Sequence, residues 1–122
     1  MIRVLVVDDN DTLREALADA LDDRGLEVVG QATNGRAACD AALVLQPDVV
    51  VMDIRMPDMP GPDATAWLAS RCPAVRVIGL TAYDDEALHH AMERAGAASV
   101  LVKGTSIKQI VGAIAGAVAV PE

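Results

Sequence analysis

The stretch VVMDIRMPDMPG, residues 50–61, joins an apolar run to an acid and then to a turn-rich segment. The run VVM has the character of a buried strand, yet it stops at the carboxylate of Asp53. Pro57, Pro60 and Gly61 then interrupt regular structure immediately after it. The sequence therefore predicts a buried strand whose last residue carries an acid to the edge of a sheet.

Similar apolar, β-branched runs recur along the chain, with segments of helical spacing between them. The predicted strands are 2–7, 26–32, 48–53, 75–81 and 98–103. Strands this uniformly apolar are usually covered on both faces, and strand–helix alternation produces right-handed crossovers between parallel strands. The sequence thus predicts one doubly wound α/β domain over residues 1–122, with a linker starting within 119–122.

The first predicted helix lies between the first two strands. Its apolar stripe is Leu13, Ala16, Leu17, Ala20 and Leu21. Thr12 with Glu15 fits a capping box at the start of this helix, and Gly25 suits the position just after its end. The spacing of the stripe predicts that this face of the helix packs on the sheet.

The last helix is predicted from about 106 to 118 and is unusually apolar. Its stretch IVGAIAGAVAV is much shorter than the ~20 residues that span a bilayer, so no membrane span is predicted. Gly112 and Gly116 have the small-xxx-small spacing that allows close approach of helices. Two interpretations stay open, namely packing on the sheet and contact with a partner such as a second copy of the chain.

The composition limits the class of protein. The 122 residues are 52% hydrophobic, enough for a sizeable core, and the net charge is −8. A charge of this sign repels a phosphate backbone, so we expect no direct nucleic acid binding by this chain. Cys39 and Cys72 lack CxxC spacing, which argues against a zinc site or a redox pair. No signal peptide is recognisable at the start, and we expect a cytoplasmic protein with reduced thiols.

Polar residues follow or end four of the predicted strands. Asp8 and Asp9 follow the first strand, Asp53 ends the third, Thr81 the fourth and Lys103 the fifth. Parallel strands share their carboxyl edge, so we expect these side chains at one end of the sheet. Carboxylates ~4 Å apart in a partly buried setting repel each other by about 4 kcal/mol per pair, which a divalent cation would relieve. Oxygen-only ligands favour Mg²⁺.

The same edge carries the groups that phosphoryl transfer requires. Asp53 would be a carboxylate nucleophile, Lys103 a positive charge and Thr81 a hydroxyl donor toward phosphoryl oxygens. Taken singly, each of these residues is better explained by an Asx turn, a helix cap or a polar strand end. Their joint placement at matching strand ends favours the functional interpretation.

Four short motifs occur in a specific order: VVDD at 6–9, DIRMPDMPG at 53–61, LTA at 80–82 and LVKG at 101–104. Together they resemble the receiver domain of two-component response regulators over essentially the whole chain. The most specific resemblance is to receivers of the NarL/FixJ subfamily, and it is carried by the stretches DIRMP, LTAYDDEAL and AGAASVLVKG. Members of this subfamily carry a LuxR-type helix-turn-helix domain C-terminal to the receiver. The resemblance implies a flavodoxin-like fold with the five parallel strands in the order 2-1-3-4-5.

The resemblance also implies a metal-dependent phosphoacceptor site. Asp53 would accept the phosphoryl group and would ligate Mg²⁺ or Mn²⁺. Asp9 would be a direct metal ligand, and Asp8 would act mainly through a bound water. The backbone carbonyl of Arg55 would supply a further ligand oxygen.

In this family the phosphoryl donor is a phosphohistidine on a sensor histidine kinase. Thr81 and Lys103 would hold the phosphoryl oxygens while the receiver catalyses its own phosphorylation and later dephosphorylation. The resemblance thus implies a conformational switch and not an enzyme acting on other substrates. The face formed by the fourth helix, fifth strand and fifth helix would mediate a homodimer or contact an effector. A LuxR-type DNA-binding domain would be the output if the full-length protein is longer.

Two positions depart from the family pattern. Val100 stands three residues before Lys103, where the family often has Tyr or Phe, and Gly104 stands where many receivers have a cis-proline. The aromatic half of the switch is therefore absent. The positions with implied modulating roles are Arg55, Ala82, Tyr83 and Val100. Among them, Arg55 and Tyr83 are expected to set the lifetime of the phosphoryl group.

Three other functions are weighed against this one. A haloacid-dehalogenase-type phosphohydrolase also uses an aspartyl phosphate, but its D-x-D-x-T motif would need an acid where Arg55 stands. A nucleotide- or flavin-binding domain would need a phosphate-binding loop, and neither G-x-G-x-x-G nor G-x-x-x-x-G-K-[ST] occurs. A pseudo-receiver, which would signal by protein contact without phosphorylation, is compatible with Val100.

Overall fold

The computed structural model describes residues 1–82 and 85–119, in which five strands alternate with five helices. The strands are β1 (Arg3–Val7), β2 (Glu27–Ala32), β3 (Val49–Asp53), β4 (Arg76–Thr81) and β5 (Ser99–Val102). The helices are α1 (Asp11–Asp23), α2 (Gly35–Leu45), α3 (Gly61–Arg71), α4 (Glu86–Ala95) and α5 (Ile107–Ala119). The predicted strands are all present, although each is slightly shorter than the sequence pattern indicated. Most of the predicted linker start falls outside the described residues.

The five strands form one parallel sheet in the order β2-β1-β3-β4-β5. This arrangement confirms the predicted doubly wound, flavodoxin-like fold. The chain first adds β2 on one side of β1 and then β3, β4 and β5 on the other, so the strand order reverses between β1 and β3. Ligand sites in such sheets lie outside the carboxyl ends of the strands at this point of reversal.

The core has two layers, one on each face of the sheet. One layer lies under α2, α3 and α4 and includes Met52, Leu68 and Met92. The other lies under α1 and α5 and includes Val51 and Ile114. Successive residues of β3 alternate between the two layers, and all five residues of this strand are buried. Because β3 is buried on both faces, all of its residues before the terminal acid are apolar.

The start of α1 differs from the prediction. Asn10 is the N-cap, and its Oδ1 accepts a hydrogen bond from the backbone N–H of Leu13 at 3.0 Å. The helix begins at Asp11, so Thr12 already lies in the first turn and the Thr12–Glu15 capping box is wrong. An asparagine in extended conformation caps a helix as well as serine or threonine does.

The buried face of α1 is also shifted from the predicted stripe. Arg14, Ala18 and Leu21 are its buried residues, whereas Leu13 is 48% exposed. The arginine points inward because polar groups of the loop and of β2 bind its guanidinium. At the other end of the helix, Gly25 follows the C-cap with φ +86°, which confirms its predicted place.

The glycines of α5 do not pack on the sheet. Gly112 and Gly116 are exposed, and a Cβ built at either position would meet no atom within 4 Å. Ile110, Ile114 and Ala117 provide the buried face of this helix instead. The predicted packing of this helix on the sheet is therefore confirmed, but the contact is made by the aliphatic residues and not by the two glycines.

Two further predictions concern the cysteines and the membrane. Cys39 is buried, Cys72 is half-buried, and both thiols are free. Burial is the main reason that the pKa of the Cys39 thiol lies above its ordinary value, which lowers its reactivity. Within residues 1–82 and 85–119, no helix combines the length and apolarity needed to cross a bilayer.

Candidate functional site

Three carboxylates meet at the point of strand reversal. β1 and β3 are direct neighbours in the sheet, with Val7 paired to Met52. The next residues, Asp8 and Asp53, therefore lie side by side at the carboxyl edge. One carboxylate oxygen each from Asp8, Asp9 and Asp53 lie within 4.8 Å of one another. Such a group of hard oxygen donors could hold a divalent cation of the Mg²⁺ or Mn²⁺ type.

The three acids differ in their exposure to solvent. Asp8 is 5% exposed and Asp53 is 7% exposed, whereas Asp9 is an exposed residue. Two carboxylates of the cluster are therefore buried, and the third is accessible to solvent. This arrangement suits an ion that keeps part of its hydration shell.

Lys103 reaches both buried carboxylates. Its Nζ lies 3.1 Å from Asp8 Oδ2 and 3.3 Å from Asp53 Oδ2. Its backbone N–H donates to the carbonyl oxygen of Thr81 at 2.6 Å, which ties the end of β5 to the end of β4. Thr81 is itself fully buried. The structure therefore brings the lysine to the acids and anchors it beside the threonine.

The electrostatics of the cluster reflect burial and charge together. Burial raises the pKa of the Asp53 carboxyl, the Lys103 charge opposes this shift, and the Asp8 carboxylate adds to it. For Lys103, burial lowers the pKa, but the carboxylates of Asp8 and Asp53 outweigh burial, so its pKa lies above the ordinary value. The ammonium is consequently charged at neutral pH. A further cation at the acids would favour the ionised form of Asp53.

The β1–α1 loop holds Asp8 at several atoms. Its backbone N–H donates to the carbonyl oxygen of Ala32 at 3.1 Å, and its Oδ1 accepts from the N–H of Asn10 at 2.9 Å. Its carbonyl oxygen accepts from Nη1 of Arg14 at 3.0 Å. The acid is thus oriented by contacts independent of its carboxylate neighbours.

The loop after β3 closes against the strand that it leaves. The N–H of Gly61 donates to the carbonyl oxygen of Ile54 at 2.8 Å, and a Cβ at Gly61 would lie 2.8 Å from Ile54 Cα. Asp58, in the same loop, accepts from the N–H groups of Gly35 and Arg36, each at 3.2 Å, at the start of α2. These contacts stabilise the backbone that carries Asp53 and Arg55.

Arg55 links this loop to α4. Its backbone N–H donates to Asp53 Oδ1 at 3.4 Å, and its Nη2 lies 3.5 Å from Asp85 Oδ2. Asp85 is also the N-cap of α4, where its Oδ1 accepts from the N–H of Leu88 at 3.2 Å. Arg55 therefore contacts Asp53 through its backbone and the N-terminus of α4 through its guanidinium.

Comparison with known proteins decides the family. Residues 4–115 match the response regulator receiver domain. The chain belongs to this receiver domain family. The response regulator GacA of Pseudomonas viridiflava is 41% identical over 115 residues, which cover 93% of this chain and 54% of that protein. This receiver thus spans about half the length of the curated relatives it matches.

Solved receiver structures have the same fold. The signal receiver domain of the response regulator NarL from Mycobacterium tuberculosis superposes with a TM-score of 0.90 at 35% identity, covering 94% of each chain. The response regulator domain of Thermotoga maritima CheB superposes with a TM-score of 0.91 at 31% identity, covering 100% of this chain and 99% of that one. These likenesses agree with the resemblance seen in the motifs and favour a signalling domain over a phosphohydrolase.

The four positions predicted to modulate the site are Arg55, Ala82, Tyr83 and Val100, and the three of them that the structure describes lie in different environments. Val100 is half-buried and packs against the core layer under α2, α3 and α4, where it is paired with Gly79. Ala82 is exposed directly after β4. Tyr83 lies outside the described residues. The position expected to hold the switch aromatic is thus filled by a half-buried aliphatic side chain that packs against the core.

Four residues around the site were missed by sequence reasoning. These are Asn10, Arg14, Asp58 and Asp85. The spacing of Asp11 and Arg14 could have indicated a helical ion pair, which is present at 2.8 Å. No local pattern could have shown that Asp58 binds the start of α2, since more than 20 residues separate them.

Proposed function

We propose that this chain is a phosphorylatable receiver domain, covering residues 1–122, in which Asp53 accepts a phosphoryl group from the phosphohistidine of a sensor histidine kinase. The observation that supports this proposal best is the meeting of Asp53 with Asp8, Asp9 and Lys103 at the β1/β3 reversal. One ammonium group between two buried carboxylates leaves the cluster net negative, which suits a site that takes up a divalent cation and a phosphoryl group.

The residues present fit Mg²⁺ or Mn²⁺. Asp9, Asp53 and the backbone carbonyl of Arg55 would hold the ion directly, and Asp8 would hold it mainly through water. When bound, the ion neutralises charge on the carboxylates and on the phosphoryl oxygens. The donor set is made of oxygen atoms only, as these cations require.

The transfer uses groups of this chain. A carboxylate oxygen of Asp53 attacks phosphorus, the P–N bond to the donor imidazole breaks, and the imidazole leaves with the bonding pair. Lys103 and the hydroxyl of Thr81 hold the phosphoryl oxygens in place as the bond forms. In the later dephosphorylation, water attacks phosphorus and gives up a proton to solvent, the P–O bond to Asp53 breaks, and the Asp53 carboxylate is restored as inorganic phosphate leaves.

The output is a change in the population of conformations. Thr81 and Lys103 are joined by a backbone hydrogen bond, so a phosphoryl group bound by both would bias the ends of β4 and β5 together. We propose that the face formed by α4, β5 and α5 responds by forming a homodimer or by contacting an output domain. Relatives such as GacA are about twice as long, which leaves room for an output domain, and the motif resemblance to the NarL/FixJ subfamily favours a LuxR-type DNA-binding domain. We also propose a cytoplasmic location, in keeping with the free thiols.

The test is phosphorylation of the purified chain by acetyl phosphate or phosphoramidate, followed by intact mass. We expect a gain of one phosphoryl group that requires Mg²⁺ and is absent in Asp53→Ala. Asp63→Ala, which removes an exposed acid in the first turn of α3, should be phosphorylated like the wild type. A folded wild type that gains no mass would contradict the proposal.

A pseudo-receiver is the second candidate, and Val100 is the observation that favours it. The half-buried aliphatic side chain packs against the core and has no aromatic ring to act as the switch. If the mass gain occurs but neither the oligomeric state nor the amide NMR spectrum of α4 and β5 changes, signalling by phosphorylation would be excluded. Normal phosphorylation with a spectral change at these elements would exclude the pseudo-receiver instead.

A further inference from the structure

Arg14 is a buried charge that the proposed phosphoacceptor chemistry does not use. The residue is only 8% exposed, although it lies near the start of a surface helix. A buried guanidinium is costly unless its donors are bound, and here three groups bind it. Nη1 donates to the Asp8 carbonyl oxygen at 3.0 Å and pairs with Asp11 Oδ1 at 2.8 Å, and Nε donates to Gln31 Oε1 at 3.1 Å.

These contacts bridge three parts of the fold. Gln31 belongs to β2, Asp11 begins α1, and the Asp8 carbonyl lies in the loop between β1 and α1. The carbonyl that Arg14 binds belongs to the peptide unit joining Asp8 to Asp9. Since a peptide unit is planar, fixing its carbonyl direction also fixes the direction in which the next residue leaves. Arg14 thus binds the peptide unit that joins two of the three clustered acids.

We propose that Arg14 is a positioning residue that orients Asp8 and Asp9 and thereby raises the affinity of the site for a divalent cation. The inference rests on the proposed function, because it assigns a role in the same metal-binding site. Its basis is the hydrogen bond to the Asp8 carbonyl together with the anchoring of the same guanidinium on Gln31 of β2. Mutating a residue that hydrogen-bonds to a metal ligand commonly lowers the metal affinity by about tenfold or more.

The charge of Arg14 and its hydrogen bond to the loop have opposite expected effects on the affinity for a divalent cation. Arg14 is a cation near the acids, so removing its charge alone would strengthen the binding of another cation. Removing its hydrogen bond to the loop would weaken that binding by disordering Asp8 and Asp9. A variant that loses both therefore shows which effect dominates.

The experiment titrates Mg²⁺ into the chain and follows the backbone amide NMR shifts of residues 8–10. We expect Arg14→Met to raise the Mg²⁺ dissociation constant about tenfold. Arg3→Met is the matched control, because Nη1 of Arg3 also donates to two backbone carbonyls, those of Leu45 at 2.7 Å and Gln46 at 2.9 Å. Arg3 begins β1, about 16 Å of strand away from the acids, so its variant should bind Mg²⁺ within twofold of the wild type.

Gln31→Ala provides a second variant without a change in charge. It removes the Nε partner and leaves the guanidinium present, so we expect about a threefold rise in the dissociation constant. If folded Arg14→Met binds Mg²⁺ as tightly as the wild type or more tightly, the positioning role is overturned. If Arg14→Met does not fold, unchanged binding in Gln31→Ala overturns it. A wild-type chain that does not bind Mg²⁺ would overturn the proposed function and this inference together.

Discussion

Lys103 and Asp53 face each other across the carboxyl edge of the sheet, with Nζ 3.3 Å from Oδ2. Asp53 ends β3 and Lys103 directly follows β5, and β4 separates these two strands in the sheet. The lysine spans this gap and also contacts Asp8 at 3.1 Å. A single flexible side chain therefore balances much of the repulsion between two buried acids that neighbouring strands force together.

Replacing Lys103 by methionine should destabilise the metal-free protein. The pKa of Lys103 is raised in the fold, so its stabilising contribution is complete at neutral pH and is lost only as the pH rises through that raised pKa. We expect a loss of about 1 to 3 kcal/mol in the free energy of unfolding at pH 7. Urea unfolding in EDTA measures this loss of stability. The control is Lys108→Met, which removes an exposed lysine of α5.

The same variant should respond more strongly to Mg²⁺ than the wild type. Removal of the ammonium leaves the acids without their cation, so a divalent ion has more repulsion to relieve. The rise in melting temperature on adding Mg²⁺ should therefore be larger in Lys103→Met than in the wild type or in Lys108→Met. An equal rise in all three proteins would show that Lys103 does not compete with the ion.

Replacing Asp53 by asparagine should stabilise the metal-free protein, with a characteristic pH dependence. The folded-state pKa of Asp53 is raised, chiefly by burial, so the ionised carboxylate opposes folding at neutral pH. We expect a gain of about 1 kcal/mol at pH 7 in EDTA. The gain should shrink as the pH falls through the raised pKa and vanish below the unfolded value of about 3.9, where both side chains are neutral.

Thermal unfolding between pH 3 and pH 8 tests this expectation. Asp63→Asn makes the same chemical change at an exposed position and should give no comparable gain. A lower stability of Asp53→Asn at pH 7 would mean that pairing with Lys103 outweighs burial.

Two glycine-to-alanine changes should have opposite effects. A Cβ at Gly61 would lie 2.8 Å from Ile54 Cα and 2.9 Å from its carbonyl oxygen, and backbone atoms cannot easily give way. We expect Gly61→Ala to cost about 2 to 3 kcal/mol and to slow phosphorylation by displacing the loop after Asp53. Gly112→Ala, in open space within α5, should instead stabilise by about 0.5 to 1 kcal/mol. Urea denaturation measures the free energy of unfolding of both variants. An unchanged stability of Gly61→Ala would show that the close approach of Gly61 to the Ile54 backbone is not required.

Removing the Arg55 side chain should shorten the lifetime of the aspartyl phosphate. The guanidinium pairs with Asp85, and both residues line a cavity that also includes Asp9 of the acidic cluster. Opening this cavity to water should speed hydrolysis roughly threefold. Decay of the phosphorylated mass in Arg55→Ala measures the effect. Arg94→Ala, near the end of α4, removes an exposed arginine elsewhere and should leave the lifetime unchanged.

Much of the fold could be predicted because it is encoded in local patterns. The buried β3 strand is visible as an apolar run, and Gly25 marks a helix end since only its backbone freedom suits the positive φ there. The start of α1 differs from the prediction because Asn10 and Thr12 are both favourable N-cap residues, and in the fold Asn10 makes the capping hydrogen bond. The apolar stripe of α1 was misjudged because contacts with Asp8 and Gln31 draw a charged residue inward.

The sequence by itself determined that five strands alternate with helices. It also determined that three acids, a threonine and a lysine lie at the carboxyl edge of the sheet. Periodicity carries this information, because burial on two faces requires apolar runs and turns require residues that break them. The tertiary structure alone decided that Lys103 reaches both buried acids from the end of β5, that Asn10 caps α1, and that Arg14 binds the Asp8 carbonyl. The lysine contacts join residues distant along the chain, so they depend on strand order and packing, which no local pattern specifies.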